Sequence, residues 1–187
     1  MLQYILKAIY GAYRLARLDR DGMTQFDISA EGFWRSFLAP VLGAPIYYLL
    51  LELGNAVASE GATVKPAVEM LGYSIAWFLF LGLMIPVARA AGLGAHYAAF
   101  VVVFNWCQIF IMLVMLPIMG LAAAGILPLT AAGITIVAIT FAALGFLWFI
   151  ARTALHASAF VAIEVVLLDF LVNQVVFAGL RYLLAGA

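Results

Sequence analysis

Long apolar runs separated by short polar segments occupy most of the chain. Five of these runs are about twenty residues long, and they cover residues 34–53, 68–88, 96–119, 129–150 and 157–180. A membrane-spanning helix needs about 20 apolar residues, whereas a transmembrane barrel strand shows about 10 residues of alternating polarity. The uninterrupted runs therefore predict an all-α polytopic bundle of five transmembrane helices.

Residues 2–18 show a different pattern, in which apolar and basic positions fall on opposite faces of one predicted helix. The apolar face holds Leu2, Ile5, Ile9, Ala12, Tyr13 and Ala16, and the basic face holds Lys7, Arg14 and Arg17. A basic amphipathic helix suits the plane of the membrane interface. It would equally suit packing on the cytoplasmic side of the protein itself, because amphipathicity does not separate the two. We therefore divide the chain into a cytoplasmic segment, 1–32, and a five-helix transmembrane domain, 33–187.

Composition indicates that lipid, rather than water, surrounds most of the chain. Apolar residues make up 68% of it and charged residues 10%, and the mean hydropathy is +1.17. Soluble domains are about 45–50% apolar and about 25% charged. The net charge is zero and there is no basic run, so we expect no nucleic-acid partner. The single cysteine, Cys107, excludes a disulfide framework and is expected to pack in the core.

Basic residues are distributed unevenly between the two sides that five spans would create. With a cytoplasmic N-terminus, seven lie inside and two outside; the inner ones are Lys7, Arg14, Arg17, Arg20, Arg35, Arg89 and Arg152, and the outer ones Lys65 and Arg181. Cytoplasmic loops of membrane proteins carry this excess of Lys and Arg. The bias predicts a cytoplasmic N-terminus and a C-terminus on the outer side. The basic residues that break the first apolar stretch also argue against a secretory signal, and the composition suits a bacterial inner membrane.

Asp169 is the polar residue that is hardest to explain inside a membrane. It lies about twelve residues from either end of the fifth run, where a charge costs roughly 3 kcal/mol on insertion scales. Asn173 follows one helical turn later on the same face. Glu164, a second intramembrane carboxylate, is rotated by about 140° from Asp169 at 100° per residue. The two carboxylates are therefore not expected to form an acid pair.

The third run offers partners for Asp169 at matching depth. Asn105 and Gln108 are spaced i and i+3, and Gln108 and Asp169 both lie about 18 Å from the cytoplasmic ends of their runs. We predict a polar seam between the third and fifth spans, consisting of Asn105, Gln108, Asp169 and Asn173. It could join the helices, with a protonated Asp169 donating to Gln108. It could also handle protons or a solute, or contact another subunit.

Motifs for catalysis and metal binding are missing from the sequence. There is no GxSxG, Walker loop, or paired-carboxylate constellation for intramembrane hydrolysis. His96 and His156 fall at predicted helix starts, and no HxxxH or HExxH accompanies them. We therefore expect a non-enzymatic protein without metal or cofactor. The expected partners are the lipid bilayer and, beyond it, other membrane proteins or further copies of the chain.

The order of segments resembles the Yip1-domain family of five-span membrane proteins. The resemblance covers about residues 33–183 and is carried by "FWRSFLAPVLGAPIYYLL", "EMLGYSIAWFLFLG", "RAAGLGAHYAAF", "MLPIMG" and "ASAFVAIEVVLLDFLVNQVVF". It implies a five-helix fold and a role in membrane organisation, or in scaffolding and assembly of partner membrane proteins. It carries over no catalytic residue. The alternative function is a small transporter or proton-coupled conduit that uses the polar seam around Asp169.

Overall fold

A computed structural model describes residues 1–58 and 64–185 of the chain. Within those ranges there are seven α-helices, namely α1 (Leu2–Ala16), α2 (Ala30–Ser36), α3 (Leu38–Val57), α4 (Pro66–Ala90), α5 (Tyr97–Ala123), α6 (Leu129–Ala154) and α7 (Ala159–Ala185). Short 3-10 helices occupy Arg20–Gln25 and Gly94–His96, and the described residues form no β-strand. The all-α prediction is therefore confirmed. The segment 54–67 between the first two predicted runs is partly helical, because α3 runs to Val57 and α4 begins at Pro66. Residues 59–63 of this segment lie outside the described ranges.

Within residues 1–58 and 64–185, five helical segments are long and apolar enough to cross a membrane. They are Ala30–Val57, Pro66–Ala90, Gly94–Ala123, Leu129–Ala154 and Ala159–Leu183. At 1.5 Å per residue, even 25 residues reach about 37 Å, which exceeds the roughly 30 Å of a hydrocarbon core. The five predicted spans are thus confirmed, and the chain has the architecture of an integral membrane protein.

The first span consists of two helices, and proline chemistry explains the break. Ser29 caps α2 by accepting a hydrogen bond from the N–H of Gly32 (3.1 Å), as a residue at this position is expected to do. α2 ends at Ser36, whose carbonyl would bond to the N–H of residue 40 in a continuous helix. That residue is Pro40, which has no N–H. The chain turns at Phe37 and resumes as α3.

The N-terminal segment ends in a local turn around Asp27. The carboxylate of Asp27 accepts a hydrogen bond from the backbone N–H of Ser29 (3.0 Å). Hydrogen bonds from the side chain and the backbone of Ser29 hold the pKa of Asp27 below its ordinary value. The turn directs the chain from the N-terminal segment into α2.

Helix α5 lies at the centre of the bundle. It packs against α1, α2, α3 and α6, and side chains of α4 also reach it. All eight residues from Phe100 to Cys107 are buried, whereas Leu113, Val114 and Leu121 nearer its end are exposed. Helix α7 packs on α4 and α6 and makes little backbone contact with α5. The bundle is therefore closed around the first half of α5, and α7 is held away from it.

Helix α1 packs on the bundle, in agreement with one of the two alternatives left open by the sequence. The hydroxyl of Tyr4 accepts a hydrogen bond from Nε1 of Trp106 and donates one to the carbonyl of Gly32, both at 3.3 Å. Burial raises the pKa of Tyr4, and the bond from Trp106 acts in the opposite direction. Further along, the rings of Tyr13 and Phe110 lie 6.3 Å apart. Helix α1 therefore lies beside the middle of α5 rather than at its first residue.

The inward face of α1 differs from the predicted apolar face. The buried residues are Ala8, Gly11, Ala12 and Leu15, whereas Leu2, Tyr13 and Ala16 of the predicted face are exposed. The small residues face inward because the 3-10 helix approaches closely. A Cβ on Gly11 would lie 2.7 Å from the ring of Phe26. Leu15 is buried beside these small residues, whereas the large residues Leu2, Leu6 and Tyr10 are left exposed.

Each end of the bundle has its own polar contacts. At one end, called the Arg89 end, the rings of His96 and His156 lie 4.4 Å apart. At the other, called the Glu69 end, the guanidinium of Arg181 binds Oε1 of Glu69 at 2.9 Å from NH2 and 3.0 Å from Nε. Glu69 is 6% exposed and Arg181 61% exposed, so this pair joins α7 to α4. The predicted orientation assigns the Arg89 end to the cytoplasm.

Helices α4 and α7 also meet closely at Gly72, and this contact can be tested. A Cβ at Gly72 would lie 2.5 Å from Cε1 of Phe177, so the ring must shift or the helices must separate. We expect Gly72→Ala to lower the free energy of unfolding by about 1–3 kcal/mol, the usual cost of overpacking. Thermal unfolding of the purified protein in detergent would measure it.

The matched control is Gly82→Ala on the same helix, where an added Cβ meets no described atom within 4 Å. That variant should unfold at or slightly above the temperature of the unmodified protein, since alanine favours the helix. Equal loss of stability in both variants would contradict the close α4–α7 contact.

Candidate functional site

Asp169 lies on the inward face of α7, near the middle of the helix. It is ten residues from Ala159, or about 15 Å at 1.5 Å per residue. Val165 and Val172, one turn on either side, are both buried. Residues three or four apart share a helix face, and the carboxylate therefore points into the bundle.

Two adjoining cavities lie in the space between α5 and α7. The first has a volume of about 230 Å³ and is bounded by α5, α6 and α7. The second, of about 180 Å³, is bounded by α3, α4, α5 and α7. They share the lining residues Phe104, Gln108, Asp169 and Asn173. One water needs about 10–15 Å³ of such volume, so each chamber has room for several waters or for part of a ligand. We call the two chambers together the Asp169 cavity.

The polar groups of the Asp169 cavity are only partly engaged. Nδ2 of Asn173 donates to the backbone carbonyl of Asp169 at 2.8 Å, within its own helix. Among the described residues, the Asp169 carboxylate and the Gln108 side chain make no hydrogen bond or ion pair. The structure therefore brings together three of the four predicted seam residues, without the predicted bond from Asp169 to Gln108. The physical reason is distance, because α4 and α6 hold α7 away from α5.

Asn105, the fourth predicted residue, belongs to another network. It is fully buried, its Oδ1 accepts from Nε1 of Trp77, and its Nδ2 donates to Oγ of Ser36, both at 2.9 Å. Ser36 in turn donates to the carbonyl of Phe33 at 2.7 Å. Asn105 therefore joins α2, α4 and α5, and placing it in the seam was wrong. Asn105 lies within the segment that is buried on every side, whereas Gln108, one turn later, is half-buried and lines the cavity.

Aromatic rings form most of one wall of the cavity. Tyr47 stacks on Tyr73 at 4.9 Å, Tyr73 meets Trp77 edge-on at 5.2 Å, and Trp77 meets Phe104 at 6.0 Å. The sequence contained a signal for this wall, since Tyr73, Trp77 and Phe80 are spaced i, i+4 and i+7 on α4. In a helix that is apolar all round, such spacing alone does not show which face is inward.

The cavity opens toward the surface between α6 and α7. Thr140 and Phe170 line the first chamber and are exposed, with 48% of Phe170 accessible. The buried residues Phe146, Leu147 and Ile150 line the same chamber. Both helices at this opening are spans, so the mouth of the cavity faces the side of the bundle where lipid lies.

The remaining predicted positions lie outside this cavity. Glu164 is exposed on α7, and, as expected, it does not pair with Asp169. Arg14 binds Oδ2 of Asp19 at 2.6 Å, and Arg17 lies 5.7 Å from the ring centre of Tyr13. Lys7 is exposed. Within the described part of the chain, no cluster of three or more His, Cys, Asp or Glu residues could hold a metal ion.

The distinction between Asn105 and Gln108 can be tested by substitution. Asn105→Ala should lower the free energy of unfolding by about 1–3 kcal/mol, because it leaves the buried indole N–H of Trp77 without an acceptor. Gln108→Ala should change it much less, since the described structure shows no bond to lose. Thermal unfolding of both variants in the same detergent would measure the difference. A larger loss for Gln108→Ala would contradict the placement of the two residues.

Comparison of the chain with protein-family models, with curated proteins and with solved structures gives no match. The resemblance to the Yip1-domain family therefore stays a prediction. What can be said of function comes from the Asp169 cavity and from the outer surface of α1.

Proposed function

We propose that the chain is a non-enzymatic integral membrane protein that admits a small solute or a proton to Asp169, as a transporter or conduit. The observation that carries this proposal is a carboxylate without a bonding partner among the described residues, facing a cavity near the middle of a span. An ionisable group at such depth costs roughly 3 kcal/mol. If Asp169 only joined helices, we would expect its carboxylate to have a hydrogen-bond or ion-pair partner that offsets this cost.

The two amides fit a binding role beside the carboxylate. Gln108 and Asn173 each carry a carbonyl acceptor and an amide donor. They can accommodate either protonation state of Asp169, and they can bind a polar group that enters the cavity. The carboxylate supplies the site for a proton or a positive charge, and the amides orient what binds there.

Passage across the membrane would require a movement of α7. Phe104, Leu147 and Ile150 line the cavity and are buried, and they belong to the closely packed part of the bundle. Helix α7 has the fewest contacts with the central helix α5 and is attached instead to α4 and α6. It is therefore the element that can shift with the least disruption of the packing around residues 100–107.

The proposal predicts that Asp169 reacts with a hydrophobic carbodiimide in native membranes. The reagent attacks protonated carboxyl groups, so labelling should be strong at low pH and fall as pH rises. Mass spectrometry of the peptide containing Asp169 would measure it. Labelling at no pH, with reaction only after unfolding, would mean a locked carboxyl and would overturn the proposal.

Asp169→Asn separates function from folding. Because the described structure shows no bond to the carboxylate, this variant should unfold near the temperature of the unmodified protein. In proteoliposomes with a pH-sensitive dye inside, it should lose the proton flux that the unmodified protein supports. Glu164→Gln is the matched control, since Glu164 lies on the same helix outside the cavity, and it should keep that flux.

A second candidate is membrane organisation, or assembly of partner membrane proteins, and the surface of α1 favours it. The helix is attached to the bundle and still leaves Leu2, Leu6 and Tyr10 exposed, with Lys7 and Arg17 beside them. Apolar residues next to basic ones suit a membrane surface with anionic lipids. The resemblance to the Yip1-domain family implies a role of the same kind.

This candidate predicts that Lys7→Glu combined with Arg17→Glu reduces retention of anionic lipid. Each basic residue contributes about 1 kcal/mol near an anionic surface, which is about fivefold in affinity. Native mass spectrometry of the purified protein would count bound phosphatidylglycerol. The control is Lys65→Glu, an exposed lysine outside α1, and an equal loss there would contradict a specific role of α1.

A further inference from the structure

We propose that the Asp169 cavity binds an organic monocation with an apolar body, such as a hydrophobic amine or a quaternary ammonium ion, which enters from the bilayer. This inference rests on the function proposed above and names the class of solute. It depends on the charge of the lining, the aromatic wall, the supply of oxygen ligands and the position of the mouth.

The charge of the lining selects a cation. Asp169 is the one carboxylate that lines either chamber, and no Lys, Arg or His of the described chain lines them. A buried carboxylate is stable when an opposite charge accompanies it, whereas an anionic ligand would add a second uncompensated charge. A single carboxylate matches a single positive charge.

The aromatic wall selects an organic cation rather than a hydrated one. Tyr47, Tyr73 and Trp77 line the second chamber together with Asp169. The faces of such rings carry partial negative charge and attract ammonium groups, and this attraction is stronger where water is excluded. The rings also give an apolar ligand body a surface to pack against.

An inorganic cation fits the lining less well. Calcium takes six to eight oxygen ligands. The cavity offers carboxylate or side-chain amide oxygens only from Asp169, Gln108 and Asn173 within the described chain. An organic ammonium ion needs fewer oxygen ligands, because the carboxylate balances its charge and the ring faces surround its apolar groups. An amine that carries N–H groups can also donate to the amide carbonyls.

The position of the mouth indicates the route of entry. The first chamber reaches the surface between α6 and α7, beside the exposed residues Thr140 and Phe170. A ligand with an apolar body accumulates in the bilayer, which lies against these helices. It can enter sideways with its charged group directed at Asp169, and a proton and the cation then compete for one carboxylate.

The test is protection of Asp169 from carbodiimide labelling in native membranes. Benzyltrimethylammonium is the probe, and neopentylbenzene, in which carbon replaces the charged nitrogen, is its uncharged counterpart of the same shape. Binding of the cation keeps Asp169 ionised, and the reagent does not attack an ionised carboxylate. We expect the cation to slow labelling of Asp169 about tenfold at saturation, and neopentylbenzene to leave it unchanged. Labelling of Glu164 on the same helix should be unaffected by both.

Two results would overturn the inference while leaving the proposed function in place. One is labelling of Asp169 that neither compound slows, and the other is equal protection by the charged and uncharged compounds. A third result, no labelling of Asp169 at any pH even without ligand, would overturn both. Slowing of Glu164 to the same extent as Asp169 would show a general effect of the cation on the membrane and would also count against the inference.

A substitution in the aromatic wall tests independently whether the rings contact the cation. Tyr47 lines the second chamber, and its hydroxyl makes no bond within the described residues. Tyr47→Leu keeps apolar volume and removes the ring face, so it should weaken protection by benzyltrimethylammonium about tenfold. Protection is measured relative to labelling of the same variant without ligand. Unchanged protection in this variant would show that the ring does not contact the cation and would contradict the aromatic part of the site.

Discussion

Burial of α5 on every side between Phe100 and Cys107 is the constraint on which the rest of the bundle depends. Lipid is as apolar as the protein interior, so close packing and interhelical hydrogen bonds hold membrane helices together. Asn105 supplies such bonds at the centre of this segment, since it contacts both Trp77 of α4 and Ser36 of α2. Helices α1, α3 and α6 occupy the other sides of α5. No position remains for α7 against the central helix.

The Asp169 cavity is a consequence of that arrangement. Helix α7 is attached at its sides, to α4 through the contact of Gly72 with Phe177 and the pair of Glu69 with Arg181, and to α6. These contacts leave a gap between α7 and α5, and Asp169 and Asn173 of α7 line that gap. The same carboxylate that would have joined two helices in direct contact is therefore available to a ligand. The space beside Asp169 follows from how α7 is held, and not from a dedicated loop.

Both proposed functions depend on the outer surface of the bundle. Helix α1 uses its small residues, such as Ala8 and Gly11, to approach the bundle, and leaves Leu2, Leu6 and Tyr10 outside. Pro40 breaks the first span so that α2 can reach Asn105 while α3 continues along α5. Both the outer surface of α1 and Phe170, at the mouth of the cavity, are exposed on the outside of the bundle. A solute that enters from the bilayer and a helix that binds lipid headgroups would both require the bilayer next to this outer surface.

The sequence by itself determined the number of spans and the depth of the polar residues. Backbone groups in lipid must bond within their own helix, so the length of each apolar run decides whether it spans, and counting residues was enough to place Gln108 and Asp169 at the same level. Only the tertiary structure decided how each helix is rotated about its own axis, and therefore which face points inward. Apolar residues surround the five spans on all sides, so their pattern carries little information about rotation, and Asn105 and the aromatic wall could not be assigned correctly from it. The pattern of α1 is amphipathic, but its buried face depends on the close approach of the 3-10 helix to Gly11, which the pattern does not show. Rotation is decided by which neighbours fit closely, and that depends on all the helices together.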